Sequence, residues 1–112
     1  MNERLQPIHE DEVDRSEYPD RWSKDLITSE CGATAGFNLG VAVYTSETFG
    51  PIQVHDDQEA VYVISGAGEI KLGDKVYPVR PGSAAYIPRG TSHATRRTGA
   101  EPVKVVYTHG KP

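Results

Sequence analysis

The sequence predicts an all-β fold, a sandwich or barrel of about eight short strands. Two observations carry this reading. Eleven Gly and eight Pro among 112 residues break the chain too often for helices of ordinary length. From Gly36 onward, short apolar runs alternate with turn signals at regular spacing. At 12.3 kDa there is apolar material for one core, so two independent halves are excluded.

The elements follow in order. Residues 1–30 hold nine acidic and four basic side chains, against seven and eight in residues 31–112. The stretch EDEVDRSEYPDRWSKD shows no clean period of 2 or 3.6, so residues 1–35 are expected to form an arm. It would lie over the barrel or over a partner subunit, anchored by Trp22, Leu26 and Ile27. The barrel is expected over 36–112. FNLGVAVYT places Phe37, Leu39, Val41 and Val43 on one face, because strand side chains alternate. GPIQVH, EAVYVIS, GEIKLG, KVYPV, SAAYIP, HATRR and PVKVVYT follow as further strands. Gly73-Asp74 between two β-prone runs predicts a tight hairpin.

A net charge of −4 and a pI of about 5.5 argue against nucleic acid or an anionic membrane as partner. No apolar run approaches the roughly 20 residues of a membrane-spanning helix, and MNERLQPIHEDEVD lacks the apolar stretch of a signal peptide. Cys31 is the single cysteine, which makes a reducing cytoplasm the expected location.

Histidine is scarce, and His55 and His93 sit inside patterned segments. In PIQVHDDQEAVYVISG, alternation puts Gln53 and His55 on one face, and a turn through Asp56-Asp57-Gln58 returns Glu59 opposite His55. The Pro88-Arg89-Gly90 turn delivers His93 to the start of another strand. Two imidazoles, one carboxylate and one amide oxygen form a donor set for a divalent metal. Asp57 is a weaker rival ligand because it falls in the turn. His9 and His109 lie in the tails and read as surface residues. Arg97 shares strand parity with His93 and Thr95, and is expected to hold a substrate carboxylate or phosphate. Tyr44, Tyr62, Tyr86 and Tyr107 lie on strands, where aromatic residues pack more often than they react. Cys31 lacks a patterned base and reads as inert.

Over roughly residues 36–109 the chain resembles a small single-domain cupin. The family's first motif corresponds to Gly50, Gln53-x-His55, Glu59 and Gly66; its second corresponds to Gly82, Pro88-x-Gly90, His93 and Arg97. Gln53 stands where the family has a ligand His, Arg97 stands where it usually has Asn, and the first glycine is closer than usual. The resemblance implies an antiparallel jelly-roll barrel with one metal at its mouth. Type I phosphomannose isomerases are similar in using a Gln, His, Glu, His zinc set.

The expected activity is redox-neutral Lewis-acid chemistry, of isomerase, lyase or dehydratase type, on a small oxygen-rich substrate such as a sugar or a hydroxy or keto acid. An amide oxygen in place of an imidazole favours zinc or manganese, with iron or nickel as alternatives. Two alternatives stand beside it: a non-haem iron(II) dioxygenase built on His55, Glu59 and His93, and a binding or sensing module without turnover. No general base can be named, the weak candidates being Glu47, Asp57 and the tyrosines. The resemblance implies a homodimer, and outward Tyr62 and Ile64 opposite inward Glu59, Val61 and Val63 point the same way.

Overall fold

The computed structural model describes residues 6–112. Nine strands run β1 (Ser16–Glu17), β2 (Arg21–Ile27), β3 (Asn38–Tyr44), β4 (Gln58–Ser65), β5 (Gly68–Leu72), β6 (Lys75–Val79), β7 (Ala84–Ile87), β8 (His93–Arg97) and β9 (Val103–Gly110). Two single-turn 3-10 helices, Glu10–Glu12 and Ser29–Cys31, complete the elements. All strand pairs are antiparallel, in a six-stranded sheet of order β1-β2-β3-β9-β4-β7 and a three-stranded sheet of order β6-β5-β8. This is the expected jelly-roll barrel, and the Gly73-Asp74 hairpin joins β5 to β6 with Leu72 opposite Lys75.

Register assigns the faces. Directly opposed residues share a face, so Ala42, Val63 and Val105 point inward together, and all three are buried. With Val103 they form the core, packed against Tyr44, Val79 and Tyr107. Ile70 and Thr95, paired on the small sheet, close it from the other side. Val41 and Val43 are buried too, but on the outer face, which they share with Lys24 and Lys104. Glu10 ties both lysines, accepting from Lys24 Nζ at its carbonyl (2.8 Å) and pairing with Lys104 through its carboxylate (3.0 Å). The first 3-10 turn is thereby fastened over that face.

Three sequence expectations need revision. Phe37 precedes β3 and is half-exposed. GPIQVH forms a single bridge, Gln53 with His93, rather than a strand. Within the expected arm, of which residues 1–5 lie outside the described residues, the polar segment Arg21–Ile27 is a full strand paired with β3. Its bulge falls between Asp25 and Ile27. Tyr62 and Ile64 point outward as expected, 53% and 45% exposed.

Candidate metal centre

Four side chains converge at one end of the barrel interior. Glu59 is the second residue of β4 and faces His109 of β9 in register, so parity aims both inward. His93 opens β8 and is held by the two backbone hydrogen bonds of its bridge to Gln53, each 2.9 Å. His55 lies in the connection before β4, where its carbonyl accepts from Gly90 N at 2.9 Å.

The Glu59 carboxylate is the meeting point. Its Oε1 lies 2.9 Å from His55 Nε2 and 3.4 Å from His93 Nε2, and its Oε2 lies 3.5 Å from His109 Nε2. Ligand atoms of His55, Glu59 and His109 all lie within 4.8 Å of one another. The His93 ring stands edge-on to His55 at 4.9 Å between centroids.

The far sides of the rings are fixed as well. His93 Nδ1 bonds the Thr91 carbonyl at 3.0 Å. His109 Nδ1 bonds both oxygens of Asp57, at 3.1 and 3.2 Å. Asp57 also touches the buried Nδ1 of His55, without hydrogen-bond alignment. Bonds of this kind set the tautomer and leave Nε2 free to ligate.

Charge follows geometry. Burial alone would raise the Glu59 carboxyl, but the His93 hydrogen bond, the charges of His109 and His93 and the bond to His55 hold it below its ordinary value. Burial likewise opposes ionisation of Asp57, and its contacts with His109 and His55 win. Burial disfavours charge on His93, yet hydrogen bonds to Glu59 and to the Thr91 carbonyl raise it above its ordinary value.

The cluster borders a polar cavity of about 180 Å³, whose walls include Arg21, Ser23, Asp25, Tyr107, Glu59 and His109. Arg21 Nη1 pairs with the buried Asp20 at 3.0 Å, and its guanidinium lies 4.2 Å from the centre of the Tyr18 ring. Tyr107 contacts Asp25 through its hydroxyl. Its ring passes over Gly40, where a Cβ would collide with the phenol and with the Lys24 carbonyl. Burial, and then the Asp25 carboxylate, push the Tyr107 phenol up. Burial pushes Tyr44 up to about 12 against the pull of Arg21. Both phenols stay protonated at neutral pH.

The structure brings His55, Glu59 and His93 together. Gln53 lines the same cavity with its amide end against the Arg21 guanidinium; turned so that the oxygen faces it, the amide accepts from Nη1 (3.1 Å) and Nη2 (3.3 Å). A guanidinium held this way competes with any ion for that oxygen. Arg97 is not among the lining residues: its guanidinium pairs with Glu47 and the Ala100 carbonyl, both at 3.4 Å. It shares a face with His93 but sits four residues along β8, about 13 Å away at the usual rise. Asp57 stays in its turn and acts on the imidazoles from behind.

His109, expected at the surface, is the fourth side chain of the cluster, 18% exposed. The signal was available in PVKVVYTHG: the alternation Val103, Val105, Tyr107 continues inward to His109 once the strand is extended by one turn of the pleat. Three imidazoles around one carboxylate, two of them with Nε2 aimed by a bond at Nδ1, suit a divalent cation.

A family profile described as "Cupin domain" (Cupin_2) matches residues 41–109. Protein SchB of Streptomyces halstedii is 37% identical over 90 residues, covering 76% of this chain and 62% of its own length. L-ectoine synthase of Vibrio cholerae is 32% identical over 69 residues, 61% of this chain and 50% of its own. The chain thus spans about half to three fifths of these relatives. The polyketide cyclase RemF from Streptomyces resistomycificus superposes with a TM-score of 0.82 at 21% identity, over 96% of this chain and 80% of that one. That likeness is one of fold.

Proposed function

The chain belongs to the cupin domain family, and on that premise we propose that it is a metal-dependent enzyme holding one divalent ion through His55, Glu59, His93 and His109. The carrying observation is the contact of one carboxylate with three imidazoles that approach from three separate segments. With His109 in place of Gln53, the argument for a hard ion from an amide oxygen falls away. An imidazole-rich set accepts zinc, iron, nickel or copper. We favour zinc and redox-neutral chemistry, because the named relatives are a synthase and, in fold, a cyclase. A bound ion of this type supplies Lewis-acid polarisation of a substrate oxygen.

The protein's own groups do the rest. Asp57 and the Thr91 carbonyl hold His109 and His93 in the tautomer that keeps Nε2 unprotonated for the ion. The guanidinium of Arg21, neutralised by Asp20, stands against the Gln53 amide and offers it a donor. Phenols of Tyr44 and Tyr107 line the cavity as neutral donors. The substrate is small and oxygen-rich, matched to polar walls. Elemental analysis of purified protein tests the reading: one zinc per chain with no oxygen uptake by the iron-loaded form supports it, whereas vigorous oxygen uptake makes it a dioxygenase. A homodimer through the outer face bearing Tyr62, Ile64 and Tyr86 is part of the same proposal. A 12 kDa species by light scattering would exclude it.

A further inference from the structure

The inner face of β2 carries Arg21, Ser23 and Asp25 in strict alternation, and all three line the cavity shared with Glu59, His93 and His109. None belongs to the two cupin motifs. Their charges are not equivalent. Arg21 is compensated by the buried Asp20, which accepts from Nη1 at 3.0 Å, and its guanidinium faces the Gln53 amide. Asp25 has the neutral Tyr107 hydroxyl as its partner rather than a cation, and that contact uses Oδ1. A carboxylate has about four acceptor sites, so most of its capacity is open. Gly40 separates the two strands without a side chain, which lets Tyr107 reach across and fix the carboxylate.

An acceptor of this kind on a cavity wall is complementary to a donor, and a free anion would be repelled by it. We propose that Asp25, oriented by Tyr107, recognises a hydroxyl of the substrate, so that the cavity takes a small hydroxy-ketone or sugar-like molecule. The inference rests on the metal reading only for where the carbonyl end is held. A cavity of about 180 Å³ is about six water volumes at roughly 30 Å³ each, room for a molecule of a few carbon atoms. Asp25 is exposed, so water replaces a missing hydroxyl and the discrimination rests on the strength of a hydrogen bond to a charged acceptor, about tenfold.

The test uses hydroxyacetone and acetone, which differ by the one hydroxyl that Asp25 would accept from. Both are titrated into the full chain, metal-free and zinc-loaded, and followed by amide chemical shifts. The wild type is expected to bind hydroxyacetone about tenfold more tightly. Asp25→Ala should abolish the preference, and Tyr107→Phe should reduce it. Asp25→Asn, the same shape with one neutral acceptor, should retain part of it and serves as the folded control. Equal binding of the two ketones by the wild type, no binding of either, or a preference that survives Asp25→Ala overturns the proposal. Failure of the metal reading is separately visible as absence of zinc on elemental analysis, and the preference is then read in the metal-free protein.

Discussion

The closed end and the open end of the barrel interior are built from the same strands, and they differ in what those strands carry. Along β9 the inward residues run Val103, Val105, Tyr107, His109; along β4 they run Val63, Val61, Glu59. The series passes from buried apolar groups to ionisable ones over about 20 Å along β9 and about 13 Å along β4 at the strand rise. The apolar end makes the fold, and the polar end spends little of that stability while gaining a rigid scaffold for three imidazoles. Stability and chemistry are therefore separable along the strand axis, and substitutions should affect one or the other.

The largest effect is expected at the open end. His93→Ala removes a buried ligand and should weaken zinc binding at least 100-fold, about 2.7 kcal/mol, read by chelator competition. Its thermal midpoint without metal should change far less than that of the core variant. At the closed end, Val103→Ala deletes buried methyl groups at a side chain with no exposed surface. It should cost about 2 kcal/mol in urea unfolding and leave zinc stoichiometry unaltered. Loss of zinc in Val103→Ala with an intact fold would show the two ends to be coupled.

The legibility of the two ends also differs. Glu59, His55 and His93 could be read because alternation and turn residues fix which way a side chain points. Depth is not written in parity, which is why Arg97 shares a face with His93 yet pairs with Glu47 at the other end of β8. His109 was missed through a strand ended two residues early, at Thr108 where β9 runs to Gly110. The segment RWSKDLI reads as solvated because its inward residues are Arg21, Ser23 and Asp25 while Trp22 points outward, the reverse of a core strand. A polar cavity inverts the pattern by which buried strands are found. Gln53 was placed on the correct wall, but its partner Arg21 lies 32 residues upstream, on the strand that the pattern concealed.

A pH series sharpens the comparison further. Glu59 and Asp57 have lowered native values, so their contributions are present above about 4.5 and 3.8 and are lost as pH falls. His93 has a raised native value, so its contribution is complete below 6.5 and is lost as pH rises through that raised value. The metal-free protein should therefore show its highest thermal midpoint between about pH 4.5 and 6.5. Metal requires unprotonated imidazoles, so zinc-loaded protein should be stabilised increasingly above that window. Parallel profiles with and without zinc would contradict the shared site. The smallest effect is expected at Gln53: Gln53→Ala should alter zinc affinity less than tenfold, because its amide is engaged by Arg21.

The central claim is that His109, not Gln53, completes the donor set with His55, Glu59 and His93. X-ray absorption spectroscopy of zinc-loaded wild type and His109→Ala tests it directly, since outer-shell scattering counts imidazoles. The account predicts three imidazoles in the wild type and two in His109→Ala. Two imidazoles in both proteins would contradict it.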